Sequence, residues 1–380
     1  MRKTCLLTML GKKFNNNFGA NLQAYALQHV ILSKGTYCEI IDYAPQIGLL
    51  GFFSRNLRYK GIKYMISKLV STQLEEIRKK FIINEREVKR SLLKVNNFKS
   101  THLRFTSKTF RDINELSGHT NYDTYIVGSD LVWDPLVNDH ETLPVYLLGF
   151  VKEGCKASYA ASVGEWIPNW AHPIFRDYLK DFDFISTRDK PSAKSLRKFC
   201  TTEIKVVLDP VALLSKEEWI KISRPPETEP KEPYVLVYDI RRFADIQPEI
   251  KIVAKKMNWN LVTYIPSKYS FSFYSFDPLE FLWLYKNAEF IVSSSFHGTV
   301  FAVLFNKPFY AISPGSYVFP YRIKDFLERM HLEDRFVENP KELRVLGFDK
   351  PDWHRANKCL EDERRRSFGF LRKVLEGDKK

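Results

Sequence analysis

The chain has 380 residues, with 59 Lys and Arg against 45 Asp and Glu for a formal net charge of +14, and 44% of it is apolar. Such a chain can bury large cores and reads as two or three domains, which excludes a disordered segment, a collagen-like fibre and a small disulfide scaffold. The five cysteines (Cys5, Cys38, Cys155, Cys200, Cys359) are far apart and lack any C-x-x-C spacing, which suits a reducing cytosol and argues against zinc or a disulfide framework. No apolar run follows the first basic residues, so no signal peptide is expected. The longest charge-poor stretch, Phe290–Asn306, has 17 residues, short of the roughly 20 that a bilayer span needs.

In chain order, Thr4–Leu10 reads as a strand. Asn15–Asn17 supply capping side chains for a helix ending near Gly35. Cys38–Tyr43 is the next strand. Between Arg55 and Arg111 the chain carries 16 Lys and Arg against Glu75, Glu76, Glu85 and Glu87, so this segment holds +12 of the charge. Within it Ile62, Met65, Ile66, Leu69, Val70 and Leu74 recur at helical spacing. A basic amphipathic helix either lies on an anionic membrane surface or docks on the core with a solvated basic face. No nucleic-acid motif accompanies the basic residues, so nucleic acid is not expected as a partner.

Further strands are expected at Tyr125–Val127, Ala157–Tyr159, Phe184–Ser186 and Lys205–Leu208. Ser223–Pro233 holds four prolines and no apolar residue, and reads as a linker. The pattern then restarts: strand Tyr234–Ile240, helix from about Asp245, strand Asn260–Ile265, helix Pro278–Asn287, strand Phe290–Ser293, helix from His297, strand Pro308–Ile312, and a final amphipathic helix over about Ala356–Leu375. Strands alternating with helices imply parallel sheets. The expected organisation is an α/β domain over 1–222 with a basic helical insertion near 52–115, a linker at 223–233, a second α/β domain over 234–345, and a helical segment over 346–380. Two such facing, doubly wound domains place a ligand cleft at the carboxyl ends of their strands.

Four stretches carry candidate chemistry. In Ser293-Ser-Ser-Phe-His297-Gly-Thr a strand ends and a helix begins, and the free N–H groups and dipole of a helix start favour an anion. Ser293, Ser294 and Ser295 can cap that helix or donate to a phosphate. Arg188 follows a strand, where a guanidinium suits a phosphate or carboxylate or pairs with Asp189. Asn15–Gln23 forms a strand-to-helix turn in which Gly19 allows close approach to the backbone; neither a dinucleotide fingerprint nor a P-loop is present. In Gly128-Ser129-Asp130 the carboxylate can act as a base or hold a sugar hydroxyl, and Trp133 can stack on a sugar ring. Three weaker patterns are Ala160-Ala-Ser162-Val-Gly, which departs from a hydrolase elbow in its first glycine, the acidic pair Asp181 and Asp183 without a surrounding acidic cluster, and Asp209 in Leu208-Asp-Pro.

Taken together, NNFGANLQAYALQ (16–28), YIVGSDLVW (125–133), ASYAASVG (157–164), ISTRDKPS (185–192), VVLDPVALL (206–214) and SSSFHGTVFAVLFNKPF (293–309) resemble the polysaccharide pyruvyltransferase family over roughly residues 5 to 330. The resemblance implies two facing GT-B-like α/β domains. It implies a transferase of bacterial exopolysaccharide biosynthesis that moves pyruvate from phosphoenolpyruvate onto two hydroxyls of a sugar, forming a ketal without metal or organic cofactor. His297 matches the family's essential histidine and Arg188 an essential arginine. Where other members carry Arg-Leu-His, this chain has Ser295-Phe296-His297, and Arg322 and Lys307 are the nearest later cations. The implied roles are His297 as acid and base, Asp130 as acceptor base, and Arg188 as donor clamp with Ser293, Ser294, Ser295, Gly298, Thr299 and Arg322. The acceptor side comprises Asn17, Gly19, Gln23, Ser129 and Trp133. The implied acceptor is a lipid-diphosphate-linked sugar met at the inner face of the cell membrane by a cytoplasmic protein. Rival readings are a GT-B glycosyltransferase using a nucleotide sugar, although Glu280 and Glu289 are nine rather than eight apart, and a non-catalytic glycan or lipid binder.

Overall fold

The computed structural model describes residues 2–12, 17–45, 85–119, 121–164, 166–238, 243–264, 270–313 and 320–377. The stripe Ile62–Leu74 and the residues Asn15 and Asn16 lie outside the described residues.

The first sheet comprises β1 (Lys3–Leu7), β2 (Tyr37–Tyr43), β3 (Phe105–Phe110), β4 (Thr124–Val127) and β5 (Cys155–Ser158) in the order β3-β2-β1-β4-β5, all parallel. β6 (Ile185–Thr187) and β7 (Ile204–Val206) pair in parallel beyond β5, where single bridges join Ala157 to Phe184 and Ala161 to Thr187. The second sheet comprises β8 (Tyr234–Tyr238), β9 (Asn260–Thr263), β10 (Phe271–Ser272), β11 (Phe290–Ser293), β12 (Phe309–Ile312) and β13 (Phe336–Val337) in the order β10-β9-β8-β11-β12-β13, again parallel. Runs such as Tyr-Val-Leu-Val-Tyr in β8 are buried at every position, as strands covered on both faces must be. In each sheet the order reverses between two central strands, β1 and β4 in one and β8 and β11 in the other. Ligand crevices form at such switch points, outside the carboxyl ends of the strands.

Eight helices matter for the site: α1 (Phe18–Ser33), α2 (Glu85–His102), α3 (Lys190–Leu196), α4 (Phe243–Met257), α5 (Pro278–Asn287), α6 (Phe296–Leu304), α7 (Tyr321–Arg329) and α8 (Trp353–Glu376). α1 leaves β1 and α6 leaves β11, so both helix starts meet across the two switch points. Beside them α1 packs on the second half through apolar side chains: the Phe18 ring lies 5.1 Å from Phe281 of α5 and 6.4 Å from Tyr238 of β8, within one core cluster that spans both halves. Burying a phenylalanine in this way contributes about 1.5–3 kcal/mol.

α8 returns from the second half to the first. There Arg364 Nε donates to the Ala212 carbonyl at 2.8 Å and the Leu208 N–H donates to Ser367 Oγ at 2.9 Å. The Ser223–Pro233 stretch is irregular and ends in a cis Glu232–Pro233 bond. Two sequence expectations change. Phe105–Phe110, inside the presumed helical insertion, is a strand of the first sheet. The basic residues of α2 are not all solvated: Lys94 pairs with buried Glu280 at 2.7 Å, Arg90 with Glu227 at 2.6 Å, and Lys99 is buried with its ammonium donating to the Gly11 carbonyl. Among the described residues, no helix is long and apolar enough to cross a membrane.

Candidate active site

The second half contributes the start of α6. Ser295 is its N-cap, with extended backbone and a hydroxyl accepting from the Gly298 N–H at 3.3 Å. One residue into the helix, His297 is buried with Nε2 3.5 Å from Asp209 Oδ2. On its other side the imidazole lies against Gly19 in the first turn of α1. A Cβ at residue 19 would run into Nδ1, Cγ and Cβ of the ring, so only glycine fits.

The first half contributes residues just past its strands. Ser129 and Asp130 follow β4, Arg188 follows β6, and Asp209 follows β7. Asp130 holds φ +78°, in the left-handed region that aspartate adopts more readily than most side-chain-bearing residues. Arg188 is buried between two carboxylates, with Nη1 2.9 Å from Asp209 Oδ2 and Nη2 3.1 Å from Asp130 Oδ1. Phe296 covers the guanidinium with its ring centroid 4.2 Å from Cζ, a cation–π geometry. From α7, Arg322 Nη1 reaches the same Asp130 oxygen at 3.4 Å. Ser129 Oγ lies 3.0 Å from both Asp209 Oδ2 and the Ala160 carbonyl.

These contacts set the charge states. Burial works to raise the Asp130 carboxyl, but Arg188, then His297 and Arg322, outweigh it and hold the group below its ordinary value. Asp209 is likewise pushed up by burial and pulled further down by His297 and Arg188, to well below the usual carboxylate range. Burial, then repulsion from Arg188, lowers the Arg322 guanidinium, and Asp130 opposes both. The cluster therefore sets two ionised carboxylates against two guanidinium groups and a histidine, brought together from both halves of the chain.

A family model for polysaccharide pyruvyl transferase matches residues 17–316. The chain belongs to that family. No curated protein matches the sequence. Among solved structures, the UDP-N-acetylglucosamine 2-epimerase from Rickettsia bellii aligns with a TM-score of 0.50 at 10% identity, over 99% of this chain and 97% of that one. S. aureus MnaA, solved with UDP, gives 0.48 at 12% identity over 98% and 91%. The kitacinnamycin glycotransferase gives 0.47 at 11% identity over 100% and 99%. The first of these establishes likeness of fold alone, two facing α/β domains of the GT-B kind.

Against the family's expected residues, the structure brings together His297, Asp130, Arg188, Arg322, Ser295 and Gly19. It corrects several others. Trp133 cannot stack on a sugar: it is fully buried in the first core, donating from Nε1 to the Tyr146 carbonyl. Arg188 does not present a free fork, because both amino groups already meet carboxylates. Gln23 and Ser129 are buried and bonded to each other, the Ser129 N–H donating to Gln23 Oε1, so they shape the β4 loop instead of lining the cleft. Thr299 is buried with its hydroxyl donating to the Ser295 carbonyl. Gly298 is pressed against Ser293 and Tyr285, and its N–H is taken by Ser295, so it is a packing residue. Ser293 is buried with its hydroxyl donating to the Tyr238 carbonyl. Ser294 is buried at the same turn, and Asn17 is the exposed N-cap of α1.

Lys307 follows the far end of α6, whereas Arg322 stands in the cluster. Glu280 is committed to a capping box and to Lys94, which removes it from any catalytic pair. Ser162 donates to Asp189, itself the N-cap of α3, in a buried network. Asp181 and Asp183 precede β6, at the amino end of the strands and away from the cleft. The residue that the sequence left open between a structural and a functional role is Asp209. Its only signal was an acid at a strand end followed by proline, which is as common in a structural turn.

Proposed function

We propose that this transferase moves the enolpyruvyl carbons of phosphoenolpyruvate onto two hydroxyls of one sugar in a surface-polysaccharide precursor, closing a cyclic pyruvate ketal. The observation that supports this best is the convergence of His297, at a helix start, with Arg188, Arg322 and Asp130 across the cleft. The donor is a dianion or trianion carrying a carboxylate and a phosphate, and a helix start beside two guanidinium groups suits such charge. Arg322 takes the electrostatic role that an arginine at position 295 would have had.

In the first step a proton passes to the donor's methylene carbon and one sugar hydroxyl adds to C2, its own proton leaving to a base. In the second step the neighbouring hydroxyl attacks the same carbon and passes its proton back to His297, the C2–O bond to phosphate breaks, and inorganic phosphate departs with the bonding pair. His297, entering the step as the imidazolium, donates the first proton and is left neutral, and Asp130, ionised by its arginine neighbours, accepts from the acceptor hydroxyl. General acid and base groups of this kind contribute about 10²–10⁴ in rate each. Arg188 works from behind: it braces the two carboxylates and lends positive charge without offering a free fork. The lipid-diphosphate carrier and attachment at the inner membrane face are part of the same reading.

The test is incubation with phosphoenolpyruvate and lipid-linked sugar acceptors, with pyruvate addition read by mass spectrometry. His297→Ala should abolish addition while thermal melting stays near wild type. Wild-type turnover in that variant, or no addition to any acceptor by the native protein, would sink the proposal.

A further inference from the structure

Asp209 has no part in the two chemical steps above, yet Ser129, Arg188 and His297 all meet it. Its Oδ2 is shared by Ser129 Oγ at 3.0 Å, Arg188 Nη1 at 2.9 Å and His297 Nε2 at 3.5 Å. Its Oδ1 accepts from the Val211 N–H at 3.1 Å, which caps the turn that follows. The preceding residue, Leu208, is tied through its N–H to Ser367 of α8. The carboxylate is thus held by its own turn, by the C-terminal helix and by an arginine, and it cannot swing away from the histidine. Among the described residues His297 Nε2, in turn, is buried with no hydrogen-bond partner within normal length. The atom it faces is an anionic oxygen.

We infer that Asp209 is a positioning residue that keeps the neutral His297 ring in the Nε2–H form, so that Nδ1, the nitrogen beside Gly19, exchanges protons with the substrate. The physical reason is direct. An Nε2 lone pair aimed at a carboxylate would be repelled, whereas an N–H aimed at it is a charge-assisted donor. The same interaction stabilises the imidazolium when Nδ1 takes a proton. The carboxylates that act on the ring are Asp209 after β7 and Asp130 after β4, each also paired with Arg188. Among the described residues, Asp209 is the acid that reaches a ring nitrogen, at 3.5 Å. α1 brings Gly19, which has no side chain to block Nδ1. The choice of acting nitrogen is therefore made jointly by an acid in one half and a glycine in the same half, upon a histidine of the other.

The role of Nδ1 in turnover rests on the transfer reading, but the tautomer does not, and the experiment separates them. The full chain is labelled with ¹⁵N-histidine, and the His297 ring is assigned by comparison with His297→Ala. Two-bond ¹⁵N–¹H correlations are then recorded at a pH where the ring is neutral. The Nε2–H form is expected in the native protein, a measurement that needs no variant of Asp209 to fold. Asp209→Asn should lose that preference, because an amide can turn either an oxygen or an N–H to Nε2. Its kcat for pyruvyl addition should fall by roughly 10²-fold, the scale of a misdirected acid–base group. A native Nδ1–H tautomer overturns the inference, as does an asparagine variant with unchanged tautomer and unchanged kcat. A protein that adds no pyruvate yet shows both tautomer results would sink the transfer reading and leave this inference standing.

Discussion

Arg188 and Arg322, from opposite halves of the chain, converge on a single oxygen, Asp130 Oδ1, at 3.1 and 3.4 Å. Two guanidinium groups this close repel each other, and the carboxylate between them offsets that repulsion. A bound donor anion would meet Arg322 and feel the charge of Arg188 behind it, so Asp130 competes with the donor for that positive field.

Asp130→Asn should therefore separate binding from turnover. With the negative charge removed, inorganic phosphate and phosphoenolpyruvate should bind several-fold more tightly by titration calorimetry. Pyruvyl addition should fall by about 10²–10⁴ if the carboxylate is the acceptor base. Weaker anion binding together with lost turnover would show that Asp130 orders the arginines and does not compete with the donor.

Much of this fold was legible because its strands are short apolar runs between helix caps. Pro278–Asn287 and Phe290–Ser293 fall where the sequence puts them, as the Asp277 cap, the proline after it and the following apolar run dictate. β3 was not legible: in Phe-Thr-Ser-Lys-Thr-Phe three successive residues, Ser107, Lys108 and Thr109, are exposed and the run sits in a basic segment, so nothing local marks it as a sheet strand. At the site, His297 and Arg188 were readable from their places at element ends. Burial was not. Trp133 and Thr299 occur in the same motifs as the acting residues, and only packing shows that they face inward. Asp209 was seen but stayed undecided for the opposite reason, since its meaning arises from three partners distant in sequence.

Arg188→Ala should be a stability mutation first. It leaves Asp209 without its closest charged partner, 2.9 Å away, in a fully buried setting, and breaking such a pair typically costs about 3–5 kcal/mol. Arg188→Lys keeps the charge but cannot span both carboxylates, so a smaller loss is expected, with weakened donor binding. Urea unfolding of the three proteins orders them; equal midpoints would mean the bridge contributes nothing.

Gly19→Ala tests the contact between the two helix starts. The added methyl meets the His297 ring, and overpacking of this kind costs about 1–3 kcal/mol. Because the collision is with Nδ1, turnover should fall more than stability does. A variant with native kcat would show that the ring moves aside freely.

The pH dependence of stability carries a defined sign. Asp209 and Asp130 are both held below their ordinary values once folded. A group with a depressed folded value contributes stability above its unfolded value, near 3.9 for aspartate, and that contribution is lost as pH falls through the folded value. Stability from the cluster should thus be fully present at neutral pH and decline below about pH 4. Asp209 titrates lowest, so its contribution should be the last to go. Comparing Tm against pH for the native protein and Asp209→Asn isolates it: the gap between the two curves should be constant from pH 7 to about 5 and narrow towards pH 2. A gap that widens on acidification would mean that Asp209 is not held ionised by His297 and Arg188, and the electrostatic account of the site would fail with it.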